Sequence, residues 1–375
     1  MGQEDHDILI VGGGIVGTAA AEWLSAKGKR IILLDGGDEL PASERSMGWV
    51  NDAAPSPAAY HRLRRLGQTA LIQEQERSRV QWYHSSGTLT WEESGVHQLL
   101  NTATVTAPES IIEAAGRLVK EGQNARVVTA RDAAGLEPGL EPSGVNGPVL
   151  WTEADGWVDL PLLVEQLRER AVYRGVEIKR RKVVALLREG DKIVGVRTGD
   201  GNHIYAKETL IAAGAGSAHL MRSVGSVLPD ESTTGVLIHT APISTRLRTV
   251  MRTPGAEIRS DDDGRLVIVS PQLDQAADES SEALEQKAEE ILEYLSRFLQ
   301  HHPRLRIETI HTGRRPIPGG KLPIAGRVPG FQGLAIAFTH SGATVGLLLG
   351  RLLAEEMVNR SPSPLLADFR PERFV

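Results

Sequence analysis

Apolar residues along the chain fall into short unbroken runs, helical stripes and strand–turn–strand blocks. Residues 8–11, ILIV, form a continuous apolar run, the pattern of a strand buried on both faces. The run leads through GGGIVG into a helical stripe at Ala19, Ala20, Trp23 and Leu24 that ends near Gly28, and a second apolar run, RIILLD, ends at Asp35. Between 156 and 218 a helix with Leu162, Leu163, Leu167 and Ala171 on one side precedes strands broken at EGD and GDG, and the last strand, TLIAA, runs into Gly214 and Gly216. The stretch 283–299 places Leu284, Ala288, Ile291, Leu292, Leu295, Phe298 and Leu299 at three- and four-residue steps. Its acidic residues lie mostly off that stripe, which predicts a solvated outer face over a core. Near the C-terminus a strand, GLAIAF, feeds a helix through His340, Ser341 and Gly342. Gly342, Gly346 and Gly350 on one face of that helix predict close packing against a sheet or a ligand. SPSP near 361 reads as a short turn.

The first of these blocks carries chemistry. Gly12, Gly14 and Gly17 satisfy GxGxxG between a strand and a helix. Gly12 suits the tight turn, Gly14 lets the backbone approach a pyrophosphate, and Gly17 lets helix and strand pack closely. The helix N-terminus then offers unpaired N–H groups and a positive dipole end to an anion. Asp35 closes the second strand and can accept from the ribose hydroxyls of an adenosine. Strand, motif, helix, second strand and acidic end follow in order, so the unit reads as a dinucleotide site without separating NAD from FAD.

Composition narrows the picture by exclusion. A chain of 375 residues predicts roughly two domains at about 100–200 residues each. It contains no cysteine, which excludes disulfides, thiolate-bound zinc, iron–sulfur clusters, a thiol nucleophile and a cofactor bonded through cysteine. With 42 Lys+Arg against 48 Asp+Glu the net charge is −6 and no basic stripe stands out, so no nucleic-acid partner is expected. The start MGQEDHD lacks the features of a secretory signal, and ATVGLLLGRLLA is too short to span a bilayer and contains Arg351. A cytoplasmic, soluble protein with no membrane span is expected. His301 and His302 have no third ligand at metal spacing and HExxH is absent, so no metal is expected.

Several further segments carry a resemblance: SMGWVNDAAP, DGWVDLPLL, TLIAAGAGS, RRP followed by PIAG, THSGATVGLL and the terminal FRPERF, together with GGGIVG…LLD. In this order they are similar to the D-amino-acid oxidase, glycine oxidase and sarcosine oxidase family of FAD-dependent amine oxidoreductases. The resemblance implies an α/β fold: a Rossmann-like FAD-binding domain of the glutathione-reductase type, with a second, mostly antiparallel sheet domain for the substrate. It implies a discontinuous FAD domain over 1–58, 150–218 and 311–375, and a substrate domain over 59–149 and 219–310. It also implies non-covalent FAD, a small carboxylate-bearing amine as substrate, and oxygen or another electron acceptor.

Carried over position by position, the resemblance puts the backbone of Ile15 and Val16 on the pyrophosphate and Asp35 with Gly36 at the adenosine ribose. Glu44, Arg45 and Ser46 would line the phosphates, Trp49, Val50 and Asn51 would lie beside the flavin ring, and the backbone of Val183 would read the adenine. Gly214 belongs to the second glycine cluster near the same nucleotide. His340, Ser341, Gly342, Ala343 and Thr344 match the loop over the flavin pyrimidine, where helix-start N–H groups stabilise the negative charge of reduced flavin. Arg315, directly before a proline, matches the arginine that binds the substrate carboxylate, for which a guanidinium offers two parallel donors; Arg314 is the fallback. Gly320 and Lys321 stand where many relatives have Asp-Gly, a departure at the site entrance. His340 is read as a loop histidine whose backbone matters more than its ring. Two alternatives keep the fold: an oxidoreductase of 2-hydroxy acids, which needs a base as the hydride leaves, and a flavin-binding subunit that turns over only with a partner.

Overall fold

The structure, a computed structural model, describes residues 6–37, 41–92 and 109–374. The reading of the chain start as free of a secretory signal falls largely on residues 1–5, outside the described residues. The strand His6–Val11 runs parallel between Ile31–Asp35 and His203–Ile211, and Glu177–Arg180 extends the sheet beyond Ile31–Asp35. His203–Ile211 is shared between two neighbours. Its first part pairs antiparallel with Lys192–Thr198, which pairs in turn with Val183–Glu189; its last three residues pair parallel with Leu334–Phe338. The apolar runs seen in the sequence are the central strands: Leu9, Ile10, Ile32, Leu33 and Leu34 have no exposed surface.

Four helices are packed together on this sheet: Ile15–Ser25, Ala58–Gln75, Leu160–Tyr173 and Gly342–Asn359. The glycine face of the last helix lies against the first helix rather than against a sheet, and its first glycine, Gly342, also lines the cavity described below. A Cβ at Gly346 would stand 2.7 Å from Ile15 Cγ2, and one at Gly350 would stand 2.4 Å from the carbonyl oxygen of Val16. Backbone cannot yield as a side-chain tip can, so Gly350→Ala is expected to cost about 1–3 kcal/mol by overpacking. A fall in the urea midpoint with unchanged m-value checks this.

One buried carboxylate ties three of the four helices together, and a second, Glu22, brings in the first helix. Glu74, 3% exposed, accepts from Arg170 Nη2 at 2.6 Å and from Arg351 Nη2 at 2.6 Å. Glu22 on the first helix pairs with Arg174 at 2.7 Å and lies within 3.9 Å of Arg351. The arginine that argued against a membrane helix is thus a tie between helices. Among the described residues no helix is long and apolar enough to cross a membrane. The tail closes by the same chemistry, with Arg370 forked onto both oxygens of Glu356 at 2.7 and 2.8 Å and Phe369 fully buried.

The second layer is an eight-stranded sheet in the order 307–315, 233–240, 266–269, 256–260, 250–253, 88–91, 149–152 and 125–128, antiparallel except where Val250–Thr253 meets Thr88–Trp91. One face is apolar. Val236, Ile238, Met251, Ile258, Leu266 and Ile268 pack with Leu284, Ala288, Ile291, Leu292 and Leu295 of the helix Ser281–Ser296, the stripe read from the sequence. The opposite face looks toward the nucleotide-type sheet. The strands Val149–Thr152 and Ile307–Arg315 run in this roof, and the long edge strand has Arg315 at its end, opposite Thr233.

Candidate active site

The glycine turn forms because side chains cannot fit there. Gly12 has φ +112°, and a Cβ on it would stand 2.2 Å from the carbonyl oxygen of Ala212, where the TLIAA strand ends. A Cβ on Gly17 would stand 2.0 Å from the carbonyl oxygen of Gly12, and one on Gly13 2.4 Å from Asp35 Oδ2. Strand, turn and helix are therefore pressed into a cradle that added atoms would fill. The helix Ile15–Ser25 opens on Gly14 with no side-chain cap and no acidic residue in its first turn, which keeps its N-terminus suited to an anion. Ser43 Oγ accepts from Ile15 N–H at 3.1 Å. Asp35 accepts from Arg168 Nη2 at 2.8 Å and from Gly37 N–H at 3.2 Å. A carboxylate has about four lone-pair positions, so room remains for a ribose hydroxyl.

A cavity of about 1940 Å³ extends from this cradle to the roof sheet. Sites for drug-sized ligands run to about 1,000 Å³, so this one has room for a dinucleotide and a small substrate. Its wall includes Gly12, Gly14, Ile15, Val16, Asp35, Gly36, Glu44, Arg45, Ser46, Trp49, Asn51, Val183, Gly214, the run His340–Thr344 and Arg315. Gly17 and Val50 are not on that wall. Gly17 is the packing contact just described, and Val50 is fully buried in a core with Trp82 and Leu160. Asn51 is 9% exposed and its Oδ1 has no partner, an orphaned acceptor beside the cavity, as expected where a ligand completes the set. The cradle, the orphan and a helix N-terminus with no acidic residue in its first turn fit a bound dinucleotide.

The loop at the start of the helix Gly342–Asn359 is held from outside. Tyr60 O–H donates to Ser341 Oγ at 2.7 Å, and Thr344 Oγ1 accepts from Asn51 N–H at 3.4 Å. Burial pushes the His340 pKa down to about 4, helped by the charges of Arg315 and Arg64, so the ring is neutral at pH 7 and a weak base. Arg315 is not free: its Nη1 donates to Asp274 Oδ2 on the helix Pro271–Glu279, while Asp274 Oδ1 accepts from Val236 N–H at 2.8 Å. Asp274 fixes one edge of the guanidinium and leaves its other donors toward the cavity. Arg45 crosses the cleft, donating to the carbonyl oxygen of Thr312 at 2.5 Å. Arg314 and Glu44 are exposed at the rim.

Sequence reasoning missed Ser43, Arg168, Asp274 and Arg252. Ser43, Arg168 and Asp274 act through partners 28 to 133 positions away and sit in no motif. Arg252, on the strand Val250–Thr253, lines the cavity beside Glu257 with no motif to mark it; a serine close to the phosphate loop was the one signal available, for Ser43. Among the described residues no cluster of three or more His, Asp or Glu is placed to hold a metal.

The family model described as FAD dependent oxidoreductase matches residues 7–356. A glycine oxidase from Pseudomonas aeruginosa is 27% identical over 367 residues, covering 95% of this chain and 95% of its own. A D-amino-acid oxidase from Bradyrhizobium diazoefficiens is 25% identical over 423 residues, covering 99% and 100%. Among solved structures, iminodiacetate oxidase from Chelativorans superposes with a TM-score of 0.79 at 22% identity, over 97% of this chain and 98% of that one, a likeness of fold.

Proposed function

Because this chain belongs to the FAD-dependent oxidoreductase family, we propose that it oxidises the C–N bond of a small carboxylate-bearing amine, an amino acid or an N-substituted glycine. The observation that carries the reading is that Arg315 and the His340–Thr344 turn line the same cavity as the Gly12–Gly14 turn. The chemistry that FAD supplies when bound is acceptance of a hydride at N5, after which the substrate imine takes water to give a 2-oxo acid or glyoxylate and the amine. Arg315, steadied by Asp274, anchors the carboxylate and so aims the α-carbon, and such positioning lowers the barrier. Ile15, Val16 and the helix start behind them hold the pyrophosphate, and Asp35 holds the ribose. The N–H groups at the start of Gly342–Asn359 offer a positive dipole end to the negative charge of the reduced ring.

Proton handling follows from His340. A ring with its pKa near 4 is poorly matched to base catalysis at pH 7, which works best with a pKa near the operating pH. On this reading the amine reacts in its neutral form without His340 as base, and the acid limb of kcat/KM is expected to track the nitrogen of the substrate. Alcohol oxidation needs a base at this step, which favours amines over 2-hydroxy acids.

The test is anaerobic visible absorbance of the purified FAD-loaded protein. It is titrated with glycine, sarcosine, larger N-carboxymethyl amines, D- and L-amino acids and 2-hydroxy acids. Bleaching of the main flavin band by one amine class is the expected result. Bleaching by hydroxy acids alone overturns the reading, and bleaching by none until a second protein is added points to a partner-dependent subunit.

A further inference from the structure

The register of the roof sheet fixes which side chains look down on the cavity. Arg252 faces Glu257, and Glu257 faces Val269. The pairing of Ile238 with Ile268 brings Leu237 opposite Val269, and two and four residues along lie Gly235 and Thr233, with Thr233 opposite Arg315. The alternate residues Met251, Ile258, Ile268, Ile238 and Val236 belong to the apolar core on the far side. Of the guanidinium groups on this face, those of Arg252 and Arg315 line the cavity, with the apolar Val269 and Leu237 among the residues between them, whereas Arg259 is tied to the carbonyl oxygen of Met47.

Arg252 is the more deeply buried of the two, with a side chain 7% exposed against 28% for Arg315. Its guanidinium lies over the Trp49 ring, 4.9 Å from the centroid, and its Nε donates to Glu257 Oε1 at 3.1 Å. Among the described residues nothing accepts from its two terminal nitrogens, which are not sealed off from the cavity. Arginine has five N–H donors, and a buried one normally has partners for them. The open terminal edge is the fork that receives a carboxylate by two parallel bonds. Glu257 already offsets one unit of charge beside it, which suits a singly charged carboxylate and disfavours a doubly charged phosphate.

We infer that Arg252 is the anchor for a second carboxylate, so that the preferred substrates are amines with an acid group at each end, such as N-carboxymethyl amino acids. Arg315 takes the carboxylate nearest the reacting carbon, and Trp49 holds the Arg252 fork in plane. The identity of the ligand as a substrate rests on the amine-oxidation reading; the two-anion site itself does not.

The test separates the two. Oxydiacetate and methoxyacetate carry two and one carboxylates on an ether that has no nitrogen to oxidise, and their binding to the FAD-loaded protein is measured by calorimetry. The wild-type protein is expected to bind oxydiacetate at least about tenfold more tightly, as one charge-assisted fork provides. In Arg252→Ala and in Arg252→Gln, which keeps a donor for Glu257 and most of the side-chain length, that ratio should fall below about threefold, whereas Arg315→Ala should weaken both ligands together. Equal binding of the two ligands by the wild type, or a ratio that survives both Arg252 replacements, overturns the inference. If the ratio behaves as expected while no amine bleaches the flavin, the two-anion site stands and the amine reading fails.

Discussion

Arg315→Ala is expected to raise KM for the amine substrate by roughly 10²–10³ while the protein keeps its yellow colour. Charge-assisted hydrogen bonds contribute about 1.5–3 kcal/mol each, and a bidentate pair that is not fully additive amounts to about 3–4 kcal/mol, which corresponds to that factor. FAD is retained because the cradle of Gly12, Gly13 and Asp35 lies at the other end of the cavity. The substitution also leaves Asp274 without its cation, although its other oxygen still accepts from Val236 N–H at 2.8 Å. Arg315→Lys separates the two effects: it can keep an ion pair with Asp274 but lacks the planar fork, so it should restore stability more than affinity. Steady-state kinetics together with a flavin spectrum read both quantities. Substrate affinity equal to wild type in the alanine variant would falsify the assignment of Arg315 as the carboxylate anchor.

Glu74→Ala should be the most damaging single change to the fold outside the apolar cores. Removing one partner of a buried ion pair costs about 3–5 kcal/mol, because charge is left buried without compensation. The arginine side chains are 33% and 21% exposed at Arg170 and Arg351, so water reaches the orphaned cations and the cost should fall at the lower end, about 3 kcal/mol. Urea unfolding of the two proteins at pH 7 reads the difference. The pH dependence carries a sign. Burial is the largest single influence on the Glu74 carboxyl and raises its pKa, but the bonds and charges of Arg351 and Arg170 together outweigh it and hold it below the ordinary 4.5. A carboxyl lowered on folding contributes stability that is fully present above the unfolded value and is lost as pH falls through the folded one. The wild-type advantage over Glu74→Gln should therefore be flat from pH 8 to 6 and shrink below about pH 4.5. A gap between the two proteins that stays constant down to pH 3 would show that Glu74 acts by shape alone.

Glu74 and Asp274, the partner of Arg315, show where sequence reading stops. GxGxxG was legible because each glycine answers a local demand: a positive φ at Gly12, a backbone contact at Gly17. The helical stripe of Ser281–Ser296 was legible because a period of three to four residues records which face is buried. The glycines of the C-terminal helix announced close packing, yet their partner, the first helix, lies more than three hundred residues earlier in the chain. Glu74 gave no signal at all, since any of many arginines could have met it.

What the sequence determined by itself was the architecture and the chemistry class: buried central strands, a dinucleotide turn, and an arginine before proline in a family pattern. The tertiary structure decided the partners. Asp35 meets Arg168 across 133 positions, Arg315 meets Asp274 across 41, and Arg259 donates to the carbonyl oxygen of Met47 across 212. Backbone conformation and burial period are written in neighbouring residues, so a short window of sequence contains them. Which charge faces which is set by the register of strands and the crossing of helices, and these exist only when the whole chain has closed.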